Sequence, residues 1–378
     1  MQESIYVGLD MGSSRCQQAV MNGDGTLRFS RIVLTSEQHL RVAFTGLGGE
    51  ASVHLEAGEL SAWAAGIIGP LVGRVVVSHP RTLAWIARDP LKTDKRDAAK
   101  LAELLRLGRV HEVYLETDNK RQVFKHLVVH YETMSREQAR QKSKIKARLR
   151  TLGVIRKDAR VFGGDGQSEL FDSIADPSIK KMISQMFAVL NQMIDMQAEA
   201  KKAMLAAAKQ FPEVALLEAV PGVGPITACR FVGYVQTPKR FSNKRKFWRY
   251  CRLGITRRES NGKRLSHPRL DHAGNGSLKD VSRKVFEAAR RTRADNPFKR
   301  AYESSLANTK NEVHARLSTQ RKILATMRAM WLSMKPYRDN VSELGAVATG
   351  FCDVSGRASQ AQESKNASGG TFAVSGRR

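Results

Sequence analysis

The sequence predicts an α/β domain followed by mainly helical regions, and three observations predict it. Short apolar strands alternate with helical stretches over residues 1–120. Apolar residues then recur at three- and four-residue steps over 121–210. Residues 211–340 are helical again and strongly basic. These spans are read as three domains, and 341–378, rich in Ser, Gly, Ala and Gln without an apolar face, as a disordered tail.

In chain order, residues 5–9 read as an apolar strand and Asn22-Gly23-Asp24-Gly25 as a hairpin turn, because these residues tolerate positive φ. Residues 29–34 and 41–45 read as the next strands, and 53–55 as a short strand ending at Glu56. Helix is expected over 60–68, a buried strand over 75–77 and a helix over 93–107. Phe124, Leu127, Tyr131 and Met134 mark a helix that turns very basic at Arg140, Lys142, Lys144, Lys146, Arg148 and Arg150. A glycine loop at Gly163-Gly164-Asp165-Gly166 interrupts it, and Asp176-Pro177 starts the next helix with a capping Asp and a first-turn Pro. That helix carries Ile179, Ile183, Met186, Leu190, Met193, Ala200 and Met204, with Gln197 interrupting a heptad stripe. The stripe fits a coiled coil between protomers or a hairpin within one chain.

Charge narrows the function. The chain of 378 residues has 63 Lys and Arg against 36 Asp and Glu, a net charge of +27. Residues 239–300 alone hold 20 basic and 5 acidic residues. Such a balance favours a polyanion partner. No apolar run reaches membrane-span length, so no membrane is expected, and the scattered cysteines lack CxxC spacing, which fits a cytoplasmic setting.

Four acids form the first candidate site. Asp10 closes the first strand, Glu56 closes a later one, and Asp94 and Asp97 share a helix face. Carboxylates brought together repel unless a cation neutralises them, and hard oxygen donors suit Mg²⁺ or Mn²⁺. Such ions assist phosphoryl transfer. Helix capping and surface exposure are the plain alternatives. Gly8-Leu9-Asp10-Met11-Gly12-Ser13-Ser14 also resembles the first phosphate loop of actin-like kinases, but no second phosphate loop follows it.

Two further segments suggest nucleic acid. Val220-Pro221-Gly222-Val223-Gly224-Pro225 looks like a helix-hairpin-helix turn, in which Gly222 and Gly224 let backbone N–H groups meet a phosphate. A plain helix–helix turn is the alternative. Ser260 stands in a polar loop flanked by Arg257, Arg258 and Lys263, where a serine can attack a phosphodiester while cations steady the charge. The aromatics at 247–250 read as core.

Taken together, Val7-Gly8-Leu9-Asp10, Leu55-Glu56-Ala57, Lys92-Thr93-Asp94-Lys95-Arg96-Asp97-Ala98, the Pro-Gly-Val-Gly-Pro turn and Arg257-Arg258-Glu259-Ser260 resemble the DEDD transposases of the bacterial insertion sequence 110 family, the bridge-RNA-guided recombinases. The resemblance implies a RuvC-like, ribonuclease H fold at the N-terminus, a helical coiled-coil linker and a C-terminal transposase domain. It implies metal-binding, catalytic Asp10, Glu56, Asp94 and Asp97, and a catalytic serine that maps best to Ser260. Target and donor DNA, a structured bridge RNA and a dimer or tetramer are its implied partners. Its setting would be the bacterial cytoplasm, at the nucleoid when acting. One protomer's carboxylates would meet another's serine, which becomes covalently joined to DNA. The chain departs from the family at Met11-Gly12-Ser13, where members often carry Val-His-Lys, and at Glu259-Ser260-Asn261-Gly262-Lys263, where many carry Ser-Ser-Gly-Gly-Lys; Ser266 is the second choice of nucleophile. Two other functions fit the bare residues: a metal-dependent junction nuclease without serine chemistry, and a non-enzymatic basic nucleic-acid-binding protein.

Overall fold

The structure is a computed structural model, and it describes residues 4–338 apart from 81–82, 84–92, 257–258, 262, 265–266 and 268. Lys92, Arg257, Arg258, Gly262, Ser266 and the tail 341–378 lie outside the described residues. The chain forms two compact units. The first takes in residues 1–215 and 225–278, the second 216–224 and the chain from 279 onward.

The first unit opens on a five-stranded mixed sheet built from β1 (Ile5–Met11), β2 (Arg15–Asn22), β3 (Leu27–Leu34), β4 (Ala51–Glu56) and β5 (Arg74–Ser78), in the order β3-β2-β1-β4-β5. β1, β2 and β3 pair antiparallel; β1, β4 and β5 pair parallel. The Asn22–Gly25 turn forms as expected: Asp24 Oδ1 accepts from the Thr26 N–H at 2.8 Å, and Gly25 takes φ +94°. Residues 41–45, read as a strand, belong instead to helix α1 (Glu37–Thr45). Ser36 caps it through the His39 N–H, and its buried Leu40, Ala43 and Phe44 follow a helical step. Within 41–45, Ala43 and Phe44 lie on the helix's inner face, whereas Val42 is exposed. Helix α2 (Ser61–Ile68) follows β4, and α3 (Asp94–Arg106) follows β5.

Strand alternation divides the sheet between two layers. Val7 and Leu9 of β1 and Val53 and Leu55 of β4 pack with Leu40 and Phe44 of α1 and Ile67 and Ile68 of α2 in one core. The intervening residues face α3: a Cβ on Gly8 would stand 1.9 Å from the Ala98 carbonyl oxygen, and His54 Nδ1 lies 2.8 Å from that of Leu101. This mixed sheet with helices on both faces is consistent with the RuvC-like expectation.

The helical part of the first unit is a long antiparallel pair, α4 (Asn119–Thr151) and α7 (Pro177–Ala208), joined through short helices α5 (Asp158–Phe162) and α6 (Gly164–Asp172). Asp118 and Asp176 cap the long helices, the latter through the Ser178 and Ile179 N–H groups. Gly164 and Gly166, read as loop, lie in α6, where Gly166 packs close to the Arg160 carbonyl. Of the heptad stripe, Ile183, Leu190, Ala200 and Met204 are buried. Ile183 and Leu190 pack with Ile145 and Leu149 of α4. Gln141 donates to the Met186 carbonyl and Gln197 to Ser135, which sets the antiparallel register. Within the chain, then, the stripe is covered by α4.

Helices α8 (Pro212–Glu218) and α9 (Pro225–Val235) flank the glycine turn, and α10 (Lys244–Tyr250) comes next. Gly233 lets α9 approach α4: a Cβ there would lie 2.8 Å from Val128 Cγ2. Beside that contact Glu132 of α4 is buried, paired to Arg230 and accepting from the Tyr234 hydroxyl at 2.7 Å and from Ser277 at 2.8 Å. Burial and the adjoining carboxylate push the Tyr234 hydroxyl up to about 12. Replacing Glu132 by alanine removes the buried carboxylate that pairs with the Arg230 guanidinium and accepts from Tyr234 and Ser277. Urea unfolding of the variant is expected to show a loss of about 3–5 kcal/mol. A loss under about 1 kcal/mol would mean that the pair is not dry in solution.

Phe247 of α10 is fully buried and packs edge-on to Phe231, at 6.0 Å between ring centroids, which bears out the core reading of this aromatic. Beyond α10 stand four two-residue strands that the sequence did not predict. They are β6 (Ile255–Thr256), β7 (Glu259–Ser260), β8 (Lys263–Arg264) and β9 (Arg269–Leu270), and they pair as β6 with β9 and β7 with β8.

In the second unit, Asn296 caps α12 (Pro297–Thr309) and Asn311 caps α13 (Glu312–Ser333), after α11 (Gly276–Arg291). Phe286 packs on Tyr302, and Asn296 also donates to the Ala289 carbonyl.

Candidate functional site

The sheet brings the four predicted acids to one edge and one face. β1 and β4 are parallel with Leu9 beside Leu55, so Asp10 and Glu56 come next in both strands, at their C-terminal ends. They continue the rows begun by Gly8 and His54, which face α3. The direction of α3 follows from its contacts. Arg106 near its C-terminus donates to the Gly23 carbonyl, beyond the edge where β1 begins; Ala98 stands over Gly8. Its first turn, with Asp94 and Asp97, therefore stands at the edge where β1 and β4 end. Thr93 caps that turn through the Arg96 N–H at 3.3 Å. Asp97 is buried, 4 % exposed; Asp94 is exposed, and Asp10 and Glu56 are half-buried.

Acids in a first helical turn complement the helix dipole, which accounts for exposed Asp94 and not for buried Asp97. Among the described residues no three His, Cys, Asp or Glu side chains stand close enough to enclose a metal ion by themselves.

Gly8 and His54 support this edge and were not singled out in the sequence. Each lies two residues before a predicted acid, so strand alternation is the signal that finds them. Burial lowers the His54 pKa against the opposing pull of the Leu101 carbonyl, and the ring is neutral. A carbonyl only accepts, so Nδ1 carries the proton toward Leu101, and Nε2 accepts from the Ser78 hydroxyl at 2.9 Å. This one ring ties β4, β5 and α3 together beneath the acids.

Gly8→Ala drives a Cβ into backbone, 1.9 Å from the Ala98 oxygen and 2.6 Å from the Ala102 nitrogen. Overpacking of that kind costs about 1–3 kcal/mol and displaces the helix that carries Asp94 and Asp97. The expected result is a folded protein with DNA strand transfer reduced about 100-fold, as for an active-site displacement of about 1 Å. Unchanged transfer would mean that α3 does not set the site.

Ser260 lies elsewhere, exposed on β7 and paired in register with exposed Lys263 of β8. Asn261, directly after β7, takes φ +49°. The base of this arm is clamped: the Asp271 N–H donates to the Gly254 carbonyl, and Arg249 Nε donates to Asp271 at 2.7 Å. Burial raises the Asp271 pKa, but the Ala273 N–H and the Arg249 guanidinium together hold it below its ordinary value.

The glycine turn has a packing role within the second unit. Gly222 takes φ +85°, and a Cβ there would lie 2.5 Å from the Val285 oxygen of α11. A Cβ at Gly224 would meet nothing.

Two family models match the chain over these same elements. A transposase model for DEDD proteins of the IS110 type matches residues 7–153, which include all four acids. The model for transposases of the IS116/IS110/IS902 family matches residues 214–303, which include Gly222, Gly224, Ser260 and Lys263. The chain belongs to the IS110 family of DEDD transposases. No curated protein matches it. Family membership makes this transposase a DNA-cutting enzyme. The kinase-like phosphate-loop reading thus yields: in the transposase Gly12 opens the β1–β2 turn, where its carbonyl accepts from Thr35 at 2.9 Å. Among the described residues no helix is long and apolar enough to cross a membrane.

Proposed function

We propose that this transposase cuts and rejoins target and donor DNA, guided by a structured RNA, with Ser260 as nucleophile and Asp10, Glu56, Asp94 and Asp97 as the metal-binding half of a RuvC-like site. The observation that carries the reading is that Asp10 and Glu56 each follow the last register pair, Leu9 and Leu55, of the parallel strands β1 and β4, on the face toward α3.

The donor set fits a divalent cation. All four side chains offer hard carboxylate oxygens, and one or two carboxylates completed by substrate phosphate oxygens and water is the ordinary Mg²⁺ arrangement. The three-carboxylate enclosure that the described residues lack is therefore not required. When bound, Mg²⁺ or Mn²⁺ would offset the negative charge that builds on the phosphoryl oxygens. Gly8 and His54 hold the acids' elements in place.

Ser260 Oγ attacks phosphorus: the Oγ–P bond forms as one P–O bond to the sugar breaks. The serine loses its proton, and the departing sugar oxygen takes one up. Attack by the hydroxyl of the other strand reverses these changes and rejoins the DNA, so the phosphoester bond energy is conserved. Lys263, beside Ser260, steadies the charge on the transferring phosphoryl group; Arg257 and Arg258 are assigned the same role from sequence, and Gly222 and Gly224 a phosphate contact. The exposed position of Ser260 supports a composite site in which the serine of one protomer meets the carboxylates of another. A dimer or tetramer follows from that reading. Sequence readout is assigned to base pairing with the RNA, as in other guide-RNA effectors.

The test is to incubate protein, DNA and co-purified RNA with Mg²⁺ and look for a protein–DNA adduct that survives denaturation. Adduct that needs both RNA and Mg²⁺ is the expected outcome. Cleaved DNA without adduct would favour hydrolysis by a junction nuclease.

A further inference from the structure

We propose that the basic half of α4, residues 136–150, is a docking surface for duplex DNA, separate from the carboxylate edge and the serine arm. The proposal rests on the DNA substrate class that family membership supplies, not on the serine or metal chemistry.

The arrangement of charge on this helix is specific. Buried Gln141, Ile145 and Leu149 form an i, i+4 stripe that turns toward the rest of the chain. On one side of that stripe runs the row Arg140, Lys144, Arg148, and on the other the row Lys142, Lys146, Arg150. Between the rows, on the outward face, stand Ala139, Ser143 and Ala147, all exposed and all small. The helix thus presents a shallow ridge with a cationic row on each flank. Arg156, Lys157 and Arg160 follow the helix in the sequence, so residues 136–160 hold ten basic and two acidic residues.

This pattern works against the helix taken alone. Like charges at i, i+4 repel, and the two rows contain four such pairs. Complementing the helix dipole accounts for Arg148 and Arg150 in the last turn, but not for the cations two and three turns earlier. Local acids neutralise only part of the set: Arg140 pairs with Glu137, Lys146 with Asp158 at 2.6 Å and Arg156 with Glu169 at 3.8 Å. A polyanion relieves the repulsion.

Dimensions select the duplex. A helix with its side chains is about 10–12 Å across and advances about 6 Å in four residues. The B-DNA major groove is about 12 Å wide and admits a helix. Small residues on the ridge let the helix enter, with exposed Arg140, Lys144 and Arg148 on one flank and Arg150 on the other, where Lys142 lies over the Phe162 ring at 5.4 Å and Lys146 pairs with Asp158. The deep, narrow major groove of A-form RNA excludes that fit. The contacts are to phosphates, so they position DNA without reading its sequence.

The test uses the full chain without divalent metal, so that it is independent of catalysis. Binding to a fluorescent B-form DNA duplex is measured over a salt series for wild type and for the Lys144→Gln, Arg148→Gln, Arg150→Gln triple variant. Removing one cation from a phosphate lowers the slope of log K against log salt by about 0.9, so the triple variant is expected to show a slope lower by about 2–3. A control triple, Arg41→Gln, Arg74→Gln, Arg109→Gln, removes the same charge from exposed positions of the sheet domain and is expected to change the slope by less than about 1. An unchanged slope in the α4 variant, an equal fall in the control, or an equal or larger fall with an A-form RNA duplex would each overturn the proposal. Circular dichroism checks that α4 is retained. If the triple variant loses helix, the single variants Lys144→Gln and Arg148→Gln are each expected to lower the slope by about 0.9.

Discussion

Ser260→Ala is expected to abolish the covalent protein–DNA adduct and to reduce recombination on the order of 10⁴-fold or more, the scale of removing a catalytic nucleophile. The structure makes this a clean test. Ser260 is exposed near the turn of a two-residue hairpin, so losing its hydroxyl changes stability by no more than about 0.5 kcal/mol. RNA and DNA binding should stay at wild-type affinity. The same substitution at Ser266 should leave the adduct intact. If Ser260→Ala retains adduct and Ser266→Ala loses it, the nucleophile is reassigned within the arm. If both variants cut DNA normally and no adduct forms in wild type, the protein is a hydrolytic nuclease.

Asp10→Asn is expected to reduce both cleavage and adduct formation about 10³-fold or more, because several kcal/mol of transition-state stabilisation go with the ion, at tenfold per 1.36 kcal/mol. Duplex binding without metal should hold or tighten slightly, since a negative charge has left a surface that approaches phosphates. Glu56→Gln should behave in the same way, as it ends the adjoining parallel strand. Wild-type activity in Asp10→Asn would remove the carboxylate edge from the mechanism.

Much of the fold was legible in the chain because its signals are local. Thr93 before Asp94 and Asp176 before Pro177 cap helices where the sequence placed their starts. The Asn22–Gly25 turn joins two strands as its composition requires. The strand end at Glu56 followed from an apolar run that stops in an acid, while β1 runs one residue past Asp10 to Met11. Residues 41–45 misled because five residues do not separate a two-residue period from a helical one, and the Ser36 cap that decides the matter lies outside that window. The arm at 255–270 was illegible because pairs of two-residue strands leave no periodicity to read.

The sequence by itself determined the candidate chemistry: four acids in motifs, a serine among cations, and a charge of +27 that calls for a polyanion. Only the tertiary structure decided which faces those residues share. Asp10 and Glu56 are 46 positions apart and come to the ends of adjoining strands only when β1 pairs with β4 through Leu9 and Leu55. His54 reaches Leu101 and Ser78, and Glu132 reaches Arg230, Tyr234 and Ser277, across 24 to 145 positions of chain. The heptad stripe of α7 left its partner open until Gln141 and Gln197 fixed it against α4. The physical reason is range. Caps, turns and periodicity are set by neighbours a few residues away, whereas the groups that cover a buried face are brought there by the packing of distant segments.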